Sequence, residues 1–129
     1  MTARILIADD EPAIALSLEF LLRNSGFETM TAQDGIEALR LAGEFRPDLV
    51  VLDLMLPGLS GIDVSRHLRA DAGHARLKVL MLTARGASSD MARGKSAGAD
   101  AYMVKPFSTK DLLAQVRHLL AREDSLNAG

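Results

Sequence analysis

Five short apolar runs punctuate the chain: RILIA, ETMTA, LVVL, KVLML and AYMV. The first, third and fourth have little polar alternation, which suits strands of a parallel sheet covered on both faces. The second alternates Glu28, Met30 and Ala32 with Thr29 and Thr31, as an edge strand does. Helical spacing lies between the runs. Ile14, Leu18, Leu21 and Leu22 recur at i, i+4, i+7 and i+8, as do Leu112, Val116, Leu119 and Leu120. Asp34 with Glu37, Ser60 with Asp63 and Ser108 with Asp111 mark helix starts, each acid three residues after its cap. Pro12 stands where a first helical turn begins, and Gly26 and Gly98 stand just past helix ends. The order is βαβαβαβαβα, which predicts a single doubly wound α/β domain over residues 1–122. Residues 123–129 are polar and read as a tail or the start of a linker.

Composition narrows the setting. A chain of 129 residues suggests one domain, and 48% hydrophobic with 25% charged residues supports a proper core. No apolar run approaches the ~18 residues of a membrane span, and no signal-peptide pattern opens the chain. Cysteine is absent, which removes disulfides and thiolate metal sites and points to a reducing cytoplasm. The net charge of −2 is interspersed, so no basic footprint argues for direct nucleic-acid binding. One Tyr, four Phe and no Trp also leave few platforms for stacking bases.

The chemistry begins at ILIADDEP, where an apolar run ends in Asp9, Asp10 and Glu11. Two acids about 5 Å apart repel by about 3 kcal/mol at an effective dielectric of 20. That repulsion is tolerated where the acids are solvated or where a cation lies beside them. In a doubly wound sheet, residues just after the strands gather at one edge, where ligands bind. Asp9 and Asp10, Asp53, Thr83 and Lys105 occupy such positions, on four different strands. Three acids, a hydroxyl and an ammonium form a hard oxygen site suited to Mg²⁺, with Mn²⁺ the alternative. Each residue alone has a plainer reading: acids at a helix start are dipole partners, Thr83 a strand-end residue, Lys105 a solvated one. Ser60 reads as a helix cap, since GLSG lacks the form of a hydrolase elbow. His67, His74 and His118 read as surface residues without metal-ligand spacing, and Met81, Met91 and Met103 as packing.

ILIADDEP, LVVLDLMLPGLSG, LMLTA and YMVKPF, at these intervals, resemble the receiver domain of bacterial response regulators, over nearly the whole chain. The resemblance implies a flavodoxin-like parallel sheet with strand order 2-1-3-4-5. It implies that Asp53 is the phosphoacceptor, taking a phosphoryl group from a histidine kinase or a phosphotransfer protein. Asp10, Asp53 and the backbone carbonyl of Met55 would hold Mg²⁺, with Asp9 acting mainly through bound water. Lys105 and Thr83 would contact the phosphoryl oxygens, and Lys105–Pro106 is expected to be a cis bond. Thr83 and Tyr102 would form the switch, with Tyr102 turning inward on phosphorylation. The face made by the fourth helix, the fifth strand and the fifth helix would pass the state to an output domain or a downstream protein. The fourth helix, around SSDMARGKSAG, is expected to be the mobile element. The domain is thus expected to be a regulatory phosphoacceptor rather than a turnover enzyme.

A phosphatase with an aspartyl nucleophile is the main alternative, but the common family of that kind has a second Asp where Met55 stands. A flavin carrier would need a Ser/Thr/Gly-rich phosphate cradle after the first strand, where DDEP stands instead. LMLPGLSG resembles receivers joined to winged-helix DNA-binding outputs, which often dimerise through inter-subunit ion pairs. Those commonly use a second acid after Asp100, a basic residue at 91 and an Arg at 115. Here Ala101, Met91 and Gln115 stand in those places, so the pairs do not form.

Overall fold

The computed structural model describes residues 2–84 and 97–122. Residues 85–96, where the sequence leads one to expect the fourth helix with Met91, and the tail 123–129 lie outside the described residues. The elements are β1 Arg4–Ala8, α1 Pro12–Asn24, β2 Glu28–Ala32, α2 Gly35–Phe45, β3 Leu49–Asp53, α3 Gly61–Ala70, β4 Lys78–Ala84, β5 Ala101–Lys105 and a C-terminal helix Thr109–Ala121. All strand pairs are parallel, in the order β2-β1-β3-β4-β5. This is the strand order that the receiver resemblance implies, with β2 at an edge as its alternation predicts.

The two-residue period of the strands splits the core into two layers. Leu6, Ala8, Val50, Leu52, Val79 and Met81 face α2 and α3, meeting Ala38, Leu41, Ile62 and Leu68. Ile5, Ile7, Leu49, Val51, Leu80 and Leu82 face α1 and the C-terminal helix, meeting Leu18, Leu22, Leu112, Val116 and Leu119. The central strand β3 is buried along its whole length. Each fully buried aliphatic side chain contributes about 1.5–3 kcal/mol, so β3 is fixed firmly beneath the residue that ends it, Asp53.

The caps follow the sequence pattern. Asp34, Ser60 and Ser108 accept from the backbone N–H of Glu37, Asp63 and Asp111, three residues on. Pro12 opens α1, and Gly26 and Gly98 hold φ of 96° and 95°. Arg46 ends α2 with φ of 53°, a left-handed conformation that usually selects glycine. Gly61 lets α3 start against the site strand, because a Cβ there would collide with the carbonyl oxygen of Asp53.

Arg69 of α3 binds the entry to β5. Its Nη1 donates to the Leu77 carbonyl at 2.6 Å, its Nε to the Gly98 carbonyl at 2.9 Å, and its Nη2 to Asp100 at 2.6 Å. Asp100 also accepts from the Val79 amide at 2.7 Å and from Arg122 at 3.1 Å. Its carboxylate is therefore engaged within the chain, and Ala101 beside it packs on the core. His74 is tucked against Asp71, with 3.7 Å between Nε2 and Oδ2, rather than lying open on the surface as the sequence suggested. Among the described residues no helix is long and apolar enough to cross a membrane.

Candidate functional site

The C-terminal ends of β1, β3, β4 and β5 bring the predicted residues together. Asp9 leaves β1, Asp53 closes β3, Thr83 is the penultimate residue of β4 and Lys105 closes β5. The register explains the convergence: Asp53 lies opposite Leu82, Thr83 opposite Val104, and Ala84 opposite Lys105. The Lys105–Pro106 peptide bond is cis.

The two buried acids are oriented in the same way. Asp9 Oδ1 accepts from the Glu11 amide at 2.9 Å, and Asp53 Oδ1 accepts from the Met55 amide at 3.0 Å. Each acid thus binds the amide two residues on, which fixes its rotamer and leaves its second oxygen free to face the centre. Both of those oxygens accept from Lys105 Nζ, at 3.1 Å each. A third bond runs from Lys105 Nζ to Glu11 Oε1 at 3.0 Å. Asp9 is 1% exposed and Asp53 5% exposed, whereas Asp10 stands at the surface.

Electrostatics follow from this burial. Desolvation pushes the Asp9 carboxyl above its ordinary range, and the charge of Asp53 adds to that. The Glu11 amide and the Lys105 ammonium pull in the opposite direction. For Lys105, burial works against the charged form, but the bonds to Glu11 and Asp9 and the charge of Asp53 outweigh it. The ammonium is therefore held above its usual range.

Two observations show what the site can accept. Asp9, Asp10 and Asp53 each offer an oxygen, and these three atoms lie within 4.8 Å of one another. These three carboxylates face one ammonium, that of Lys105, leaving an excess of negative charge. An all-oxygen donor set with that excess fits a hard divalent cation of the Mg²⁺ type. The second observation is Thr83 Oγ1, which is buried and has no hydrogen-bond partner among the described residues. An unpaired buried hydroxyl costs about 1–3 kcal/mol, so a ligand oxygen placed there would be well received.

The Tyr102 hydroxyl is likewise buried with no partner among the described residues, and burial pushes its pKa up. The ring already packs on the core layer that holds Met81. Its hydroxyl is covered in this structure. The Met55 side chain lies at the rim, 69% exposed. Sequence reasoning assigned no role to Glu11. The available signal was local: Glu is a poor N-cap, and the side chain of Glu11, the N-cap of α1, makes no capping bond.

Comparison with known proteins agrees with this geometry. The sequence model of the family described as the response regulator receiver domain matches residues 5–117. The DNA-binding response regulator MtrA of Mycolicibacterium smegmatis is 49% identical over 124 residues, which cover 96% of this chain and 53% of MtrA. The chain therefore spans about half the length of the curated relatives it matches. The chemotaxis response regulator CheY4 of Vibrio cholerae superposes with a TM-score of 0.87 at 30% identity, over 92% of this chain and 99% of CheY4. The receiver domain of the sensor histidine kinase PA1611 from Pseudomonas aeruginosa superposes with a TM-score of 0.86 at 30% identity, over 95% and 100% of the two chains. That structure has a magnesium ion coordinated in its active-site cleft. A phosphatase with an aspartyl nucleophile is not favoured, since these relatives are regulators and Met55 takes the place of its second Asp. The chain belongs to the response regulator receiver domain family and is a regulatory receiver of two-component signalling.

Proposed function

We propose that Asp53 accepts a phosphoryl group from a phosphohistidine on a sensor histidine kinase or a phosphotransfer protein. The observation that carries this reading is the Lys105 ammonium bridging Asp9 and Asp53 at 3.1 Å beside the unpaired Thr83 hydroxyl. An Asp53 oxygen attacks phosphorus as the P–N bond breaks, and the electron pair of that bond leaves with the histidine ring. Such transfer depends on positioning and on charge, and has little other chemistry for the protein to do. Asp53 is positioned by the buried strand β3 and by the Met55 amide. Lys105 offers N–H groups to the entering phosphoryl oxygens, and Thr83 offers its hydroxyl.

Asp9, Asp10, Asp53 and the Met55 backbone carbonyl are the groups that would hold Mg²⁺. When bound, the cation supplies positive charge that offsets the carboxylates and the anionic donor. Thr83 and Tyr102 act as the switch. The face containing β5 and the C-terminal helix passes the state to an output domain or a downstream protein, which the DNA-binding relatives suggest is a DNA-binding one. The interspersed net charge of −2 gives no footprint for direct nucleic-acid binding, and the place of the domain is the cytoplasm. The dimer known for winged-helix regulators is not carried over. Ala101 and Gln115 offer no charge, and Asp100 is already bound to Arg69 and Arg122.

The test is incubation with acetyl phosphate, with and without Mg²⁺. Labelling that is acid-labile and requires Mg²⁺ is expected. Labelling indifferent to EDTA would overturn the reading.

The lifetime of the phosphoryl group has its own prediction. Hydrolysis needs a water placed in line with phosphorus. Met55 beside the site has only a thioether, a weak acceptor that anchors water poorly. Met55→Asn is expected to shorten the lifetime several-fold, followed as loss of phosphoprotein in Mg²⁺ without a phosphatase. Unchanged or slower decay would contradict the water-access argument.

A further inference from the structure

The Lys105 ammonium has three N–H groups, and all three are committed: to Asp9, to Asp53 and to Glu11. A phosphoryl oxygen arriving at Asp53 can take an N–H from Lys105 only if one of these bonds is released. The three acceptors differ in how readily they let go. Asp9 is 1% exposed and pinned through its other oxygen by the Glu11 amide, so losing Lys105 would strand a buried charge. Asp53 is the group being modified. Glu11 alone is open to water, its side chain 58% exposed, so its carboxylate is resolvated as soon as it leaves.

We infer that Glu11 is the exchangeable partner of Lys105: it holds the ammonium while Asp53 is unmodified and surrenders it to the entering phosphoryl group. The helix start supports this assignment. Glu11 is the N-cap of α1, in extended conformation at φ −86° and ψ 108°, yet its side chain caps nothing. Pro12 takes the first helical position, and the Glu11 carboxylate is turned to a lysine 94 residues away. Glu11 is a positioning residue, acting on the phosphoryl group only through Lys105. Its hold is a brake on transfer, and an anionic donor must break it.

The inference rests on Asp53 being the phosphoacceptor, and the test separates the two. Acetyl phosphate donates to Asp53 by forming an O–P bond as the bond to acetate breaks, the electron pair leaving with acetate. Glu11→Ala removes the carboxylate and costs α1 no capping bond. Glu11→Asp keeps the charge but is one methylene too short to reach Lys105. Both variants are expected to raise the rate of Mg²⁺-dependent labelling about two- to five-fold, the effect of losing one half-exposed charged contact. Mg²⁺ affinity, measured by calorimetry, is expected to be unchanged in Glu11→Asp, which keeps the charge. A Glu11→Asp rate equal to that of the parent would show that only the field of the charge matters, and would overturn the proposal. A fall in Mg²⁺ affinity in Glu11→Asp would also overturn it, by placing Glu11 among the metal's own partners. If the parent itself is not labelled at Asp53, the failure lies with the phosphoacceptor reading instead.

Discussion

Replacing Asp53 with Asn is expected to leave no acid-labile phosphate on the protein after incubation with acetyl phosphate and Mg²⁺. The amide oxygen of Asn can still accept from the Met55 backbone N–H, so the turn after β3 is kept. What disappears is the charged oxygen that faces Lys105, which is also the nucleophile. Lys105 retains Asp9 and Glu11, so the fold loses one of three bonds at this ammonium and stays intact. Asp9 makes the same two kinds of contact, but it follows β1, which does not pair with β4, whereas Asp53 ends the strand beside the one that carries the unpaired Thr83 hydroxyl; Asp10 lies at the surface. The variant should therefore unfold cooperatively near the parent's midpoint while remaining unlabelled. Labelling at the parent's level would show that another residue accepts the phosphoryl group.

Lys105→Met should cost nearly as much by a different route. Loss of a single preorganised donor to developing negative charge typically slows a reaction by about 10²–10³-fold, and a reduction of that order is expected in the labelling rate. Stability should respond as well, because Asp9 and Asp53 would keep their buried charges with no ammonium between them. Removing one partner from a buried ion pair typically costs about 3–5 kcal/mol. In this site a divalent cation can take over the lost charge. Urea unfolding in EDTA should thus show a large destabilisation that added Mg²⁺ partly repairs. A Lys105→Met protein as stable as the parent in EDTA and labelled at the parent's rate would contradict the account of the site's electrostatics.

Much of this was legible in the chain because it is written in local periodicities. The unbroken apolar character of β1, β3 and β4 reports a sheet covered on both faces, and the structure buries those strands from two sides. The caps at Asp34, Ser60 and Ser108 are three-residue signals and were read without knowledge of the fold. The convergence of Asp9, Asp53, Thr83 and Lys105 could be anticipated because a parallel sheet sends every strand end to the same edge. Contacts that depend on side chains distant in sequence were not visible. The poor N-cap chemistry of Glu11 hints locally at another role but does not tell that it reaches Lys105, 94 residues on, and nothing in Arg69 tells that it joins Leu77, Gly98 and Asp100. The left-handed backbone of Arg46 was equally hidden, since the sequence offers no glycine to announce it.

The most direct measurement of the central claim is chemical trapping of the phosphorylated residue. An aspartyl phosphate is an acyl phosphate, and borohydride reduces it to homoserine, leaving a mark that survives digestion and mass spectrometry. After incubation with acetyl phosphate and Mg²⁺, homoserine is expected in place of Asp53 and nowhere else in the chain. Homoserine at Asp9 or Asp10, or a phosphoprotein that yields none, would contradict the assignment of Asp53 as the phosphoacceptor.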